Sequence, residues 1–235
     1  MEKRRNYRQF CGLARALDRI GERWTLLIVR NLLLGPKRYS DLIEELPGIT
    51  TNLLAARLRE MESTGLVVKR KAPPPVRAVV YELGPAGRAL EPAIMELARW
   101  GGRFMSGAGD DTVNIGWGLL SLKRRYRGGA SLVAELRVAE RCFELALTPS
   151  YLGVAESSAS RPDVSVSGSL AAIRAWLFLG EDPSTLRQRG ELRVSGSEEA
   201  WEQLRHAFAR REPSAEDMAC RLPSRGALPA PGVSL

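Results

Sequence analysis

The sequence predicts an α+β protein of two domains, the first over residues 1–105 and the second over residues 114–211. Apolar residues recur at helical spacing through most of the first part, which ends in two strand-like runs and a further helix. The small and acidic residues of 106–113 predict a linker, after which strand-like and helical runs alternate. Residues 212–235 are rich in Pro, Ser, Ala and Gly, a composition typical of a disordered tail.

The first part of the chain contains four successive helical segments, each closed by a glycine or proline signal. They are residues 11–20, 24–34, 41–46 and 52–64. Ser40 is the expected N-cap of the third helix, and Thr50 or Thr51 is the expected N-cap of the fourth. Pro47 and Gly48 form a turn that sets these last two helices at a steep angle, as in a helix-turn-helix.

A β-hairpin and one more helix follow. The strand-like runs 66–71 and 77–83 flank residues 72–76, whose three prolines cannot pair in a sheet and predict a stiff projecting loop. Gly84 and Pro85 begin a helix that we expect to run to about residue 105, with a kink at Pro92. Helices followed by a hairpin in this order predict a winged helix-turn-helix domain.

The net charge is confined to the first part of the chain. Residues 1–104 contain 19 Lys and Arg against 11 Asp and Glu and so carry the whole net charge of +8, whereas residues 105–235 contain 16 of each. Phosphate backbones attract such a surface, and the release of counterions favours its binding. When the charge is taken alone, a basic surface of no special function remains an alternative.

The helix predicted over residues 52–64 has the surface of a DNA-recognition helix. Leu54, Leu58 and Met61 fall on one face and predict the side that packs on the core. The opposite face combines small residues, which let the helix approach base edges, with side chains that can form paired hydrogen bonds to adenine or guanine. The residues expected to contact DNA here are Thr50, Thr51, Asn52, Ala55, Ala56 and Arg59. An ordinary solvated helix is the alternative.

Four cations surround the loop of the hairpin. They are Lys69, Arg70, Lys71 and Arg77. In a winged helix the hairpin reaches the DNA backbone or a flanking minor groove, so we expect these side chains to contact phosphate. Lysines on an edge strand can also serve only to keep it soluble, and that alternative stays open.

Four stretches of the first domain, in unbroken order, resemble the HxlR-type family of bacterial winged-helix regulators. They are CGLARALDRIGERWTLLI at 11–28, LGPKRYSDL at 34–42, GITTNLLAARLREM at 48–61 and VYELGPAGRAL at 80–90. The resemblance covers residues 7–104 and implies a homodimer, held by the first and last helices of the domain, that binds an inverted repeat in double-stranded DNA and represses transcription. The family usually has Thr where this chain has Gly84, and glycine is an acceptable N-cap.

The same resemblance points to Cys11 as a redox-sensing residue. Several members of the family sense oxidants or electrophiles through a cysteine early in the first helix, and Cys11 holds that position. A reactive thiol requires exposure and a lowered pKa, which the helix N-terminus with Arg8 and Arg15 could supply. A buried, unreactive cysteine is the alternative. A thiol-based regulator whose second domain serves only for interaction is therefore the second hypothesis for the chain.

The second domain resembles the sterol carrier protein-like domain. The stretches that carry this resemblance are FELAL at 143–147, PDVSVSG at 162–168, AIRAWLFLG at 172–180 and RGELRVSGSE at 189–198. It implies helices packed on a mostly antiparallel sheet around an apolar tunnel, which suits an apolar small-molecule effector. The candidate effector-binding residues are Trp117, Leu120, Phe143, Trp176, Leu177 and Trp201. Core packing without a ligand, or a module that only stabilises a dimer, are the alternatives.

Catalytic and metal-binding motifs are missing from the sequence. Its sole histidine is His206, its three cysteines are far apart, and it contains neither a Ser-His-Asp set nor a Gly-rich phosphate loop. We therefore expect no enzyme activity, and no metal or cofactor, because a zinc site needs about four clustered ligands. No run approaches the ~18 apolar residues of a membrane span, and the N-terminus does not resemble a signal peptide, so the expected location is the cytoplasm.

Overall fold

The N-terminal domain is a winged helix-turn-helix. A computed structural model describes residues 6–72, 78–105 and 111–209. The elements of its first two ranges are α1 (Gly12–Ile20), α2 (Thr25–Leu32), β1 (Lys37–Arg38), α3 (Tyr39–Glu45), α4 (Thr51–Ser63), β2 (Val67–Lys71), β3 (Val79–Leu83), α5 (Pro85–Arg88) and α6 (Glu91–Gly101), followed by a 3-10 turn at Gly102–Phe104. The three strands form one antiparallel sheet in the order β1-β3-β2, so β2 and β3 are the strands of the wing.

The start of α3 differs from the sequence-based expectation. The helix begins at Tyr39, so the expected N-cap at Ser40 is wrong. The Asp41 carboxylate instead accepts a hydrogen bond from the backbone nitrogen of Arg38 at 2.8 Å, and this bond secures the chain one residue ahead of the helix. Arg38 also belongs to β1, a two-residue strand that pairs with β3 and that no pattern in the sequence predicted.

The helical region after the wing is divided into two helices. The expected kink at Pro92 is wrong, because the break lies earlier, at residues 89–90, between α5 and α6. Pro92 stands in the first turn of α6, where a backbone N–H has no partner within the helix and its loss costs little. The chain then continues to Met105, and residues 106–110 of the predicted linker lie outside the described residues.

The C-terminal domain packs helices on a five-stranded sheet. Its elements are α7 (Ile115–Arg125), β4 (Leu132–Val138), β5 (Arg141–Leu147), β6 (Leu152–Ala155), β7 (Val164–Gly168), α8 (Leu170–Arg174), α9 (Pro183–Gln188), β8 (Leu192–Gly196) and α10 (Glu198–Ala207). The strand order is β6-β5-β4-β7-β8, and every neighbouring pair is antiparallel except β4 and β7. The expected α+β arrangement with a mostly antiparallel sheet is confirmed. The predicted tail over 212–235 lies outside the described residues.

Alternation along the strands decides which face of this sheet is covered. Leu132, Ala134, Leu136 and Val138 of β4 are buried in the core, whereas the residues between them point to the other face. Helices α7, α8 and α10 supply the opposite side of this core. A π-helical turn at Ala175–Leu179 continues α8, and Gly180, with φ of +80°, ends it in the left-handed conformation that favours glycine.

The two domains pack against each other. Leu34, which follows α2 of the N-terminal domain, is fully buried in the core of the C-terminal domain. Its carbonyl oxygen accepts a hydrogen bond from the backbone nitrogen of Glu156 at 2.6 Å. The C-terminal domain therefore docks beside α2 and β1, close to the start of the helix-turn-helix.

Candidate nucleic-acid interface

Helix α4 is positioned by the turn before it and by its own apolar face. Gly48 in that turn has φ of +90°, a conformation that side chains disfavour. Thr50 caps the helix, since its Oγ1 accepts a hydrogen bond from the backbone nitrogen three residues later at 3.3 Å. Leu54, Leu58 and Met61 are buried, as the sequence predicted. These contacts fix which face of α4 turns away from the domain.

The opposite face of α4 is open to solvent. Of the predicted DNA-contacting residues, one is half-buried, Ala55, and the others are exposed: Thr50, Thr51, Asn52, Ala56 and Arg59. None of the ion pairs formed within the described parts of the chain involves Arg59. An exposed amide and an exposed guanidinium beside small residues are the groups that can read base edges in a major groove.

Arg57 is a structural counterpart to Arg59 that sequence reasoning missed. Its side chain is only 12% exposed, and its guanidinium pairs with Glu60 and, at 3.2 Å, with Glu22. Glu22 lies just before α2, so this contact joins the start of the domain to α4. The position of Arg57 relative to the buried leucines of α4 does not predict this ion pair, because Glu22 is 35 residues away in the sequence.

The two helices of the helix-turn-helix are joined by a hydrogen bond. The Tyr39 hydroxyl, at the first residue of α3, donates to the backbone carbonyl of Thr51, the first residue of α4, at 2.5 Å. This bond and the buried Leu42 and Leu46 fix the angle between the two helices. Tyr39 was not among the predicted site residues, and its role depends on a contact that appears only when the turn is folded.

The wing presents cations along β2. Lys69, Arg70 and Lys71 are all exposed. Arg70 Nη2 lies 2.7 Å from Glu82 Oε2 on β3, so the Glu82 carboxylate partly neutralises the charge of Arg70. The Lys69 ammonium lies 5.8 Å from the centre of the Tyr81 ring. Arg77, the fourth predicted contact, lies outside the described residues.

Five of the six candidate effector-binding residues are core residues. Leu120, Phe143, Trp176, Leu177 and Trp201 are buried, and the rings of the two tryptophans among them are 5.5 Å apart. Trp117 alone is half-buried, and it helps to line a cleft of about 700 Å³ between the two domains. Its indole Nε1 donates to Asn31 Oδ1 of α2 at 2.8 Å, and the Arg30 guanidinium lies 3.7 Å from its ring centre. Trp117 therefore also holds the domains together.

Cys11 is exposed at the N-cap position of α1. The backbone N–H groups of Ala14 and Leu13 lower the pKa of its thiol, outweighing the opposing effect of burial.

Residues 6–72, 78–105 and 111–209 contain no group of three or more His, Cys, Asp or Glu side chains arranged to hold a metal ion. None of the helices there has the length and apolar content needed to cross a membrane.

Comparisons with known proteins match the N-terminal domain. The family model described as HxlR-like helix-turn-helix matches residues 19–108. The transcriptional regulator YkvN of Bacillus subtilis (strain 168) is 38% identical over 97 residues, which are 40% of this chain and 80% of YkvN. The transcriptional regulator YodB of the same organism is 35% identical over 89 residues, covering 38% of this chain and 80% of YodB. The solved oxidized form of the redox regulator HypR is 32% identical and covers 39% of this chain and 95% of that one, with a TM-score of 0.37.

Proposed function

Because the chain belongs to the HxlR-like helix-turn-helix family over residues 19–108, we propose that this DNA-binding transcriptional regulator acts as a dimeric repressor on an inverted-repeat operator. Helix α4 enters the major groove of each half-site, and the wing contacts the flanking backbone. The observation that carries the proposal is the outer face of α4, where Asn52 and Arg59 are exposed beside small residues while the inner face is buried.

The apolar surface of α1 and α6 supports the dimer. Helix α1 buries only Ala14 in its own domain, and Leu13 is 68% exposed. At the far end of α6, Trp100 is 57% exposed and packs edge-on against Phe104, with ring centres 4.9 Å apart. Exposed apolar groups of this size mark an interaction surface, and a symmetric partner covers both helices at once.

Nuclease footprinting combined with light scattering tests this function. We expect a dimer in solution and two protected half-sites about one helical turn apart, near 10 base pairs centre to centre. A reporter gene placed behind the footprinted sequence should be less active when the protein is present. A monomer that protects a single half-site, or a reporter that is activated, would contradict the proposal.

The C-terminal domain is proposed to take an apolar small-molecule effector. The cleft beside Trp117, lined by apolar residues such as Ile115 and by charged ones such as Arg141, supports this proposal, whereas Trp176 and Trp201 are packed in the core. Binding should change the fluorescence of Trp117 and the affinity for the operator together, because an effector regulates only if it prefers the free or the DNA-bound form. A fluorescence change with unaltered operator affinity would argue against an effector role.

Thiol-based sensing through Cys11 is the second candidate function. The exposure of Cys11 and the lowered pKa of its thiol favour it. In this case a mild oxidant or an electrophile should change operator affinity, and Cys11→Ser should abolish the response. Cys142→Ser is the matched control, because Cys142 is a half-buried cysteine of the C-terminal domain. An equal response in the Cys11→Ser protein would exclude this function.

A further inference from the structure

Four charged side chains, two from each domain, form a closed ring of ion pairs between the domains. Lys37 and Glu45 come from the N-terminal domain, and Arg141 and Glu156 come from the C-terminal domain. The Lys37 ammonium contacts both carboxylates, with Nζ 2.9 Å from Glu45 Oε1. Arg141 does the same, with Nε 2.6 Å from Glu156 Oε1 and Nη2 3.2 Å from Glu45 Oε1. The side chain of Lys37 is 8% exposed and that of Arg141 is 30% exposed, so the ring is partly buried where it borders the cleft between the domains.

The groups of the ring stabilise one another's charges. Burial alone would raise the pKa of Glu156, but hydrogen bonds from Arg141 and Lys37 outweigh it and hold that pKa below its ordinary value. Burial would lower the pKa of Arg141, and the Glu156 carboxylate reverses this effect. Arg141 Nη1 also donates to Asn114 Oδ1, the N-cap of α7, at 2.8 Å, which fixes the plane of the guanidinium.

The ring engages α3 at both ends. Lys37 lies two residues before the first residue of α3, and Glu45 is its last residue. The backbone bond from Glu156 to Leu34 holds the segment that leads into β1. The C-terminal domain therefore contacts α3, the first helix of the helix-turn-helix, through side chains located just before the start of α3 and at the end of α3.

Helix α3 in turn contacts the recognition helix. Tyr39 follows Lys37 by two residues, and its hydroxyl donates to the carbonyl of Thr51 at the N-terminus of α4. One short segment thus links the ring to the end of α4 that is expected to enter the groove. The exposed face of α4, with Asn52 and Arg59, stays open while the C-terminal domain is docked.

We propose that Arg141 and Glu156 are positioning residues for DNA binding, which hold α3, and through it the N-terminus of α4, in the orientation that fits the operator. The docked C-terminal domain then strengthens operator binding without touching DNA and without any ligand. This inference rests on the proposed contact between α4 and the operator, and it adds a part in DNA binding for a domain outside the family match.

Glu156→Gln in the full-length chain tests the inference, with Glu198→Gln as the matched control. Glu198 pairs with Arg187 on the surface of the same domain, outside the ring. Each substitution removes one negative charge, which by itself favours DNA binding. We expect Glu156→Gln to raise the Kd for the footprinted operator by about fivefold or more at fixed salt, the scale of a coupling between distant sites, and Glu198→Gln to leave it unchanged or slightly lower.

An unchanged or lower Kd for Glu156→Gln would overturn the inference while leaving the proposed function intact. A wild-type chain that selects no DNA sequence would overturn the proposed function and this inference with it. If Glu156→Gln does not fold, as judged by circular dichroism, Arg141→Lys takes its place, because it keeps the charge but not the paired contacts. It should give a smaller loss in the same direction, and wild-type affinity would overturn the inference.

Tyr39→Phe, which removes only the hydroxyl, tests the route from the ring to α4. If the ring acts through Tyr39, the loss of affinity in the Tyr39→Phe, Glu156→Gln double variant should be smaller than the product of the two single losses. Losses that multiply would overturn the positioning role. Hydrogen exchange separates a positioning role from a purely stabilising one, because the loss of a contact that only stabilises the fold would change the exchange rates of all helices alike. Glu156→Gln should speed exchange at the start of α4 more than in α6, and a uniform change would count against the inference.

Discussion

Arg57 and Arg59 are two residues apart in α4 and have opposite environments. The Arg57 guanidinium is held by Glu22 and Glu60 and is mostly buried, whereas Arg59 is exposed and takes part in none of the ion pairs among the described residues. Two arginines of equal charge on one helix thus provide a direct comparison between a side chain engaged in the fold and one available to DNA.

Removal of the Arg59 side chain should weaken specific DNA binding without unfolding the domain. We expect Arg59→Ala and Asn52→Ala each to cost about 1–3 kcal/mol of operator affinity, the usual value for a paired contact to a base. Gel-shift titration at fixed salt measures this. Arg57→Ala is the control, and it should lower the melting temperature because it leaves Glu22 and Glu60 without their partner. Wild-type affinity in both Arg59→Ala and Asn52→Ala would exclude α4 as the recognition helix.

The lysines of the wing should contribute to binding of any DNA sequence. Replacing Lys69 and Lys71 with Ala should reduce the slope of log K against log salt by up to about one unit for each phosphate that the wing no longer neutralises. Arg70 is expected to contribute less, since it is already paired with Glu82. An Arg187→Ala, Arg189→Ala variant removes the same charge from the C-terminal domain. An equal change of slope in both variants would point to overall charge and not to the wing.

A charge placed on the exposed face of α1 should separate the proposed dimer. Leu13→Glu would put a carboxylate in the apolar contact between subunits, where its desolvation is unfavourable. Light scattering should then report a monomer at concentrations where the wild type is a dimer. Leu179→Glu is the control, because Leu179 is a comparably exposed leucine, at 64%, in the C-terminal domain. A dimer that survives Leu13→Glu would remove α1 from the interface.

Local patterns in the sequence were sufficient for much of the N-terminal domain. The cap at Thr50 and the buried face of α4 are confirmed, because each depends on residues within a few turns of one another. The family resemblance is confirmed as well, by the match over residues 19–108. The helix α9 was missed although a signal for it exists. Asp182 caps this helix and Pro183 opens it, a combination typical of a helix start.

The contacts between the domains were not predictable in the same way. Lys37 and Glu156 are 119 residues apart, and a lone lysine in a basic domain gives no indication of a buried partner. The sequence pattern around Leu34 is equally consistent with the last residue of a helix and with a residue that another domain buries. Such pairings depend on the docked arrangement of two folded domains, which periodicity along the chain does not encode.

The ring of ion pairs should make stability depend on pH in the acid range. The pKa of Glu156 in the folded protein lies below its ordinary value of 4.5, so the ionised carboxylate contributes stability above that value, and the contribution is lost as the pH falls through the lowered pKa. At pH 7 we expect Glu156→Gln to lower the free energy of unfolding by about 1–2 kcal/mol, because the pair is only partly buried. Melts at several pH values should show the difference from wild type shrinking below about pH 4.5.

A matched carboxylate checks this assignment. Glu202 also has a lowered pKa, chiefly through its hydrogen bond with Arg205, but it lies on the surface of α10. Exposed pairs contribute little to stability, so Glu202→Gln should melt like the wild type at both neutral and acid pH. A Glu156→Gln protein that differs from wild type equally at all pH values would mean that its effect arises from packing and not from charge.

Truncation after Met105 tests what each domain contributes to folding, DNA binding and sensing. The isolated N-terminal domain should fold, because its own core is complete and because Lys37 and Glu45 still neutralise each other when Arg141 and Glu156 are gone. The matched region also makes up 80% of YkvN, so little of that relative lies outside it. The melting temperature should fall nonetheless, since Leu34 loses its place in the second core and Glu91 loses its ion pair with Lys123.

The truncated protein should still dimerise and bind the operator. If the ring is the main contribution of the C-terminal domain to DNA binding, the Kd of the truncated protein for the operator should be raised about as much as that of Glu156→Gln. It should no longer respond to any effector that releases the full-length protein, because an effector acts only where it distinguishes two forms. Gel-shift titrations of both proteins, with and without that effector, measure the difference. If the truncated protein responds equally, sensing lies in the N-terminal domain. In that case Cys11, exposed at the start of α1 with a lowered thiol pKa, becomes the leading candidate for the sensor.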